Sequence, residues 1–104
     1  MSELSFTRPS PTDFLAVDSL LDDEEVMLRD TVRQFVSDRI LGDIAEWWED
    51  GVFPREVAKE MASMGLFGMH LEGYGCAGTS NVAYGLACTE LEYGDSGVRS
   101  FMSV

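Results

Sequence analysis

The stretch SNVAYGLACTELEYG, residues 80–94, decides the fold class of this chain. Ser80 can cap the start of a helix and Gly94 can end one, so the stretch predicts a helix from Asn81 to Tyr93. This helix is apolar on nearly every side. Such a helix must be covered on all its faces, so other parts of the structure are predicted to surround it.

A first amphipathic helix is predicted well upstream of this stretch. Asp22 and Glu25 have the three-residue spacing of a capping box, which marks its start. Apolar residues then recur at helical spacing as far as Ile40. The predicted inner stripe contains Leu28, Val32, Phe35, Val36, Arg39 and Ile40, and the predicted water-facing residues are Arg29, Asp30, Arg33 and Asp38.

Two further helices are predicted between these elements. Asp43 can cap a short one that carries Trp47 and Trp48, which point about 100° apart, so one is expected in the core and the other near the surface. Pro54 marks the first turn of the next helix, and Gly65 ends it. The inner face of that helix is predicted to be Val57, Ala58, Met61 and Met64.

The remaining segments are predicted to be an arm, a loop and one more helix. Residues 1–19 show no periodicity and predict an extended arm, while residues 20–104 form one all-α domain. Residues 65–78 are rich in glycine, but the run at 73–78 fits neither a dinucleotide-binding nor a P-loop fingerprint, so a structural loop is predicted. A fifth helix over residues 98–104, capped by Asp95 or Ser96, has no stop signal. We therefore expect either that the chain is part of a longer protein or that its end pairs with another chain.

Composition excludes several classes of partner. The 104 residues carry a formal net charge of -12 at pH 7, which would repel both nucleic acid and anionic lipid headgroups. No segment is long and apolar enough to cross a bilayer. The two cysteines make no disulfide framework, and the N-terminus lacks the pattern of a secretory signal or a transit peptide. A cytoplasmic location is expected.

The sequence shows no metal site and no catalytic residues. One histidine and two cysteines twelve residues apart do not supply metal-ligand spacing, and no nucleophile with a base and an orienting group can be assembled.

Arg99 is unusually placed, because the helix dipole disfavours a cation in the first turn of a helix. Ser103 lies four residues on and shares its face, and Glu92 lies across the turn. Such a cation, hydroxyl and carboxylate could orient a carboxylate ligand. The alternative is a structural ion pair of Arg99 with Glu92 or with Asp95.

Four motifs closely resemble the glutaryl-CoA dehydrogenases, a branch of the acyl-CoA dehydrogenase family. They are Gly73-Tyr74-Gly75-Cys76-Ala77-Gly78, Val82-Ala83-Tyr84-Gly85-Leu86, Glu90-Leu91-Glu92 and Asp95-Ser96-Gly97-Val98-Arg99-Ser100. The resemblance is long and specific, and in weaker form it extends back to about residue 15.

This resemblance implies a fold and an activity. The chain would be the N-terminal helical bundle domain of a longer enzyme, whose middle β-domain and C-terminal helical domain hold FAD and are absent here. In that family a glutamate of the C-terminal domain removes the α-proton of the acyl-CoA, a hydride passes to the flavin, and electrons leave through electron-transfer flavoprotein. Glutaryl-CoA members also release carbon dioxide and yield crotonyl-CoA. A homotetramer or dimer is implied as well.

The resemblance also assigns residues. The glutaryl branch holds the distal carboxylate of its substrate with residues that match Arg99 and Ser103, with an acid that matches Glu92 nearby. Phe101 is bulkier than the small residue expected at its place. Two alternatives stay open: a dehydrogenase for another short-chain acyl-CoA, in which Arg99 only pairs with Glu92, and a free-standing acidic helical module that binds a protein partner.

Overall fold

The computed structural model describes residues 16–71 and 78–103. Within these two ranges the secondary structure is helical and contains no β-strand, which confirms the predicted all-α class. The five α-helices are α1 (Asp23–Phe35), α2 (Ile44–Asp50), α3 (Arg55–Ser63), α4 (Asn81–Gly94) and α5 (Ser96–Ser103). None of the helices in the described ranges has the length and apolar character needed to span a membrane.

The predicted apolar helix, α4, packs against α1 and α5. Its inner face consists of small or branched side chains, Ala83, Ala87 and Leu91, which let the neighbouring helices approach closely. α4 is nevertheless covered on only part of its circumference by the described residues, since Val82 remains 51% exposed. The remaining buried apolar core residues are Val32, Phe35, Val36, Ile40, Val57, Met61, Leu66, Met69, Val98 and Met102.

The first helix begins where the sequence predicts. The Glu25 amide donates to Asp22 Oδ1 at 2.8 Å and the Asp22 amide donates to Glu25 Oε1 at 3.0 Å, so the capping box is complete. After Phe35 the chain continues as a π-helical turn, Val36–Ile40, instead of a uniform α-helix. This turn keeps Val36 and Ile40 buried, as the apolar stripe predicts.

The prediction that Arg29 faces water on α1 is wrong. Its side chain is buried, whereas its position in the helical pattern predicted a water-facing residue. The guanidinium lies 2.6 Å from Asp18 Oδ2 through Nη1 and 3.0 Å from Asp30 Oδ1 through Nη2. Burial opposes the charge, but the two carboxylates outweigh it and raise the pKa of Arg29. The two carboxylates compensate for the burial of the guanidinium. One of them, Asp18, lies outside α1.

The described end of the predicted arm is not extended. Ala16 adopts a left-handed backbone conformation with φ 55°, and Val17–Leu20 form a short 3-10 helix. The Ser19 hydroxyl donates to the Ala16 carbonyl at 2.8 Å and closes this turn. The rest of the predicted arm, residues 1–15, and the glycine run at 72–77 lie outside the described residues.

Ion pairs join α4 to α1 and α3 to the π-helical turn. Arg33 donates to both oxygens of Glu90, at 3.0 and 2.9 Å, and so joins α1 to α4. Glu90 is buried, and this bidentate contact compensates for the loss of water around its carboxylate. In the second of these ion pairs, Arg39 Nε lies 2.8 Å from Glu60 Oε1 of α3. These pairs hold α4 and α3 against the first helix and its π-helical turn.

Candidate functional site: the corner between α4 and α5

The candidate site lies where α4 ends and α5 begins, and Asp95 shapes this corner. Asp95 is extended, with φ -173° and ψ 132°, and its Oδ2 accepts from the Val98 amide at 3.1 Å, so it is the N-cap of α5. Its Oδ1 accepts from Trp48 Nε1 at 2.9 Å. A Cβ at Gly97 would lie 2.8 Å from Asp95 Oδ2, so only glycine leaves the cap undisturbed.

Gly94 allows the corner to pack closely on the preceding structure. It is the last residue of α4, as the sequence predicts, but a Cβ there would lie only 2.8 Å from Val36 Cγ1 and 3.3 Å from Ile40 Cγ2. Gly94 is therefore required for space rather than for a left-handed backbone conformation. The close approach holds the end of α4 against the π-helical turn.

The structure brings the three predicted site residues together at this corner. Arg99 Nε donates to Glu92 Oε1 at 2.8 Å, and Arg99 Nη1 donates to Ser103 Oγ at 3.1 Å. Of the two alternative ion pairs, Arg99–Glu92 forms, while Asp95 is engaged by Val98 and Trp48 instead. Within residues 16–71 and 78–103, no hydrogen-bond partner contacts Arg99 Nη2. One edge of the guanidinium is thus available to a ligand.

The electrostatics of the corner favour charged forms of both partners. Hydrogen bonds from Ser96 and then from Arg99 lower the pKa of Glu92. The bond to Glu92 raises the pKa of Arg99. Both groups therefore stay ionised near neutral pH. A carboxylate and a guanidinium then lie side by side at the edge of the neighbouring pocket.

A small pocket of about 270 Å³ opens next to Arg99, lined also by Cys88, Thr89 and Glu92. Cys88 is a free thiol, and burial raises its pKa despite the nearby Arg99. The sequence prediction of the site omitted both Cys88 and Ser96. Helical spacing could have found Cys88, which lies four residues before Glu92 in α4. Ser96 belongs to the next helix, so its place beside Glu92 depends on the extended conformation of Asp95.

A second concave surface lies on the other face of α5. Phe101 packs against Phe53 at 5.1 Å and Phe67 at 5.5 Å between ring centroids. Its bulk is therefore directed away from Arg99, which lies two residues earlier and on the opposite side of the helix. We name this surface the aromatic groove; it measures about 520 Å³ and is lined by Ile44, Trp47, Trp48, Gly51, Val52, Phe53, Asp95, Gly97, Val98 and Phe101.

Neither concave surface fits the FAD that the resemblance implies. The aromatic groove has Asp95 as its one charged lining residue, and a carboxylate would repel the pyrophosphate of the cofactor. The pocket beside Arg99 is smaller than the roughly 300 Å³ at which ligand pockets usually begin. In the part of the chain that the structure describes, no group of histidine, cysteine and acidic side chains could hold a metal ion either.

Comparison with known proteins points to one family. Residues 22–104 match the family profile described as "Acyl-CoA dehydrogenase, N-terminal domain". A (2S)-methylsuccinyl-CoA dehydrogenase of Cereibacter sphaeroides is 34% identical over 82 residues, which make up 77% of this chain and 15% of that protein.

Two crystal structures of glutaryl-CoA dehydrogenase from Mycobacterium smegmatis show the same fold. One, in complex with FADH2, is 52% identical and superposes with a TM-score of 0.86 over 92% of this chain. The other is 56% identical, with a TM-score of 0.85 over 93% of this chain. The chain spans 25% of the length of each. The residues that the structure describes form an all-α fold, and the match over residues 22–104 shows that the chain belongs to the acyl-CoA dehydrogenase family.

Proposed function

We propose that this chain is the N-terminal domain of a flavin-dependent dehydrogenase that oxidises glutaryl-CoA to crotonyl-CoA with loss of carbon dioxide. In this proposal the domain supplies the end of the acyl pocket. The observation that carries it is the arrangement of Arg99, which is held by Glu92 and Ser103 and leaves Nη2 without a partner among the described residues. The similarity to two glutaryl-CoA dehydrogenases supports the choice of substrate.

The chemistry of Arg99 suits the distal carboxylate of a dicarboxylic acyl group. A guanidinium offers donors in a fixed planar fork, so two neighbouring N–H groups can bind one carboxylate. Glu92 and Ser103 fix the plane of that fork through Nε and Nη1. The remaining donors then anchor the far end of a short chain and set the depth of the reacting carbons.

The other parts of the reaction lie outside this domain. No described residue is assigned as the base, and we place FAD in the remainder of the enzyme, because neither concave surface here fits it. Electron-transfer flavoprotein as electron acceptor, a homotetrameric or dimeric assembly and a cytoplasmic location are parts of the same proposal. They are supported by the family and by the sequence pattern.

Exchange of Arg99 for methionine in the full-length enzyme tests the proposal. Loss of a charged partner for a ligand carboxylate commonly reduces kcat/KM by roughly 30- to 4,000-fold, and we expect Arg99→Met to do so for glutaryl-CoA. Pentanoyl-CoA has the same length but no distal carboxylate, so its kcat/KM should be unchanged or improved. Steady-state kinetics with both substrates gives the comparison.

An equal loss for both substrates would mean that Arg99 only pairs with Glu92. The enzyme would then act on another short-chain acyl-CoA, which is the alternative to this proposal. Arg55→Met is a matched control, because Arg55 is an exposed arginine at the start of α3 and lines neither the pocket beside Arg99 nor the aromatic groove. It should leave the ratio of the two substrates unchanged.

A further inference from the structure

We propose that Ser96 is a positioning residue of this site: its hydroxyl holds the Glu92 carboxylate, and Glu92 in turn orients the guanidinium of Arg99. This inference rests on the proposed function, since it assumes that Arg99 binds a carboxylate. Ser96 itself need not touch the substrate. It fixes the direction of the N–H donors of Arg99, which contact the substrate carboxylate in this proposal.

The contacts form one continuous chain across the corner. Ser96 Oγ donates to Glu92 Oε2, while the other oxygen, Oε1, accepts from Arg99 Nε at 2.8 Å. Arg99 Nη1 then donates to Ser103 at 3.1 Å. Both oxygens of Glu92 are therefore engaged, one by each of two residues that lie three apart on the same face of α5.

Glu92 needs such a second contact in order to fix Arg99. Its side chain is long and 46% exposed, so it has several accessible rotamers and loses entropy when it is held in one of them. A single bond to Arg99 would let the carboxylate rotate, and the guanidinium would then be held mainly through Ser103. Ser96 supplies a donor on a short side chain at a backbone position fixed by the helix, which restricts this rotation at little entropic cost.

The Ser96 hydroxyl is not needed to cap α5. Asp95 accepts the Val98 amide and is the N-cap, so Ser96 is the first helical residue, where its side chain is left for Glu92. The bond from Ser96 therefore acts on the Glu92 carboxylate and not on the backbone amides of the first turn.

The test compares Ser96→Ala, Ser96→Thr and Ser63→Ala in the full-length enzyme, with glutaryl-CoA and pentanoyl-CoA as substrates. Loss of this solvent-exposed hydrogen bond should raise the KM for glutaryl-CoA by roughly 2- to 10-fold in Ser96→Ala. The anchor acts first on binding, so the KM should rise by a larger factor than kcat falls. Ser96→Thr keeps the hydroxyl, so its KM for glutaryl-CoA should equal that of the unchanged enzyme.

The controls separate the two proposals. Ser63 is an exposed serine whose hydroxyl donates to the Glu60 carbonyl at 2.8 Å in α3, so Ser63→Ala removes a comparable bond elsewhere and should change neither KM. If Arg99→Met discriminates between the substrates but Ser96→Ala leaves the KM for glutaryl-CoA unchanged, Ser96 has no positioning role. The same conclusion follows if Ser96→Ala affects both substrates equally. If Arg99→Met itself fails to discriminate, the proposed function falls and the role of Ser96 falls with it.

Discussion

Glu92 connects the two helices of the corner, and its ionisation should be visible in the stability of the domain. Hydrogen bonds from Ser96 and Arg99 lower its pKa below the ordinary value of 4.5. A carboxyl group whose pKa is lower in the folded state stabilises the fold at pH values above the unfolded pKa. This stabilisation is lost as the pH falls through the lowered folded value, because the carboxylate is then protonated in both states.

Glu92→Gln should therefore have an effect that depends on pH. At about pH 7 the variant should show a lower free energy of unfolding than the unchanged chain, since the amide cannot replace the charged acceptor. The difference should shrink as the pH falls below 4.5, where Glu92 itself becomes neutral. Urea denaturation followed by circular dichroism, at several pH values between about 3 and 7, measures it. A difference that stays constant over this range would contradict the lowered pKa.

At the scale of single residues, the two arginines show what a sequence pattern can reveal. Arg99 attracts attention because a cation in the first turn of a helix opposes the dipole, and that local conflict predicts a partner nearby. Arg29 gives no such signal, because a charge on the polar face of α1 fits the helical pattern. Its burial depends on Asp18, a residue of the preceding 3-10 helix whose position follows from tertiary structure. Periodicity within one helix cannot supply that information.

At the scale of elements, the start of α5 should depend on Asp95 far more than the start of α2 depends on Asp43. Asp95 accepts the Val98 amide, whereas the Asp43 side chain makes no cap hydrogen bond, contrary to its predicted role. Asp95→Ala should lower the free energy of unfolding by about 1–2 kcal/mol. Asp43→Ala is the matched control and should have little effect. Thermal or urea denaturation of both variants gives the comparison, and equal losses would rule out the assigned caps.

The two aspartates also show why caps are only partly predictable. Both precede a helix and both have the favoured residue type, so the sequence predicts a cap at each of them. An N-cap side chain needs an extended backbone to reach the amides of the first turn. Asp95 has this conformation, but Asp43 has φ -118° and ψ -6°, since the chain leaves the π-helical turn only a few residues earlier. The helices themselves were predicted from periodicity and from glycine and proline positions, which do not depend on this detail.

At the scale of the whole molecule, α5 separates two surfaces of different chemistry. One side carries the polar contacts of Glu92, Arg99 and Ser103, and the other forms the aromatic groove. Residue spacing predicted the first surface, because its members lie close together in the sequence, on either side of one turn. It did not predict the second, because that surface joins residues near 50 to residues near 100 and so depends on how α2 packs beside α5.

The aromatic groove should make the 104-residue chain bind hydrophobic dyes and self-associate. Several of its side chains are exposed, including Trp48 at 72% and Val52 at 55%, and contiguous apolar surface of this kind is uncommon on monomeric proteins. Phe101→Gln should lower the fluorescence of a bound naphthalene-sulfonate dye and shift the chain toward the monomer in analytical ultracentrifugation. Met27→Gln is the control, because Met27 is 69% exposed on α1 and does not line the groove. A monomeric chain that does not raise the fluorescence of the dye would contradict this prediction. Equal effects of the two substitutions would mean that the aromatic groove does not mediate self-association.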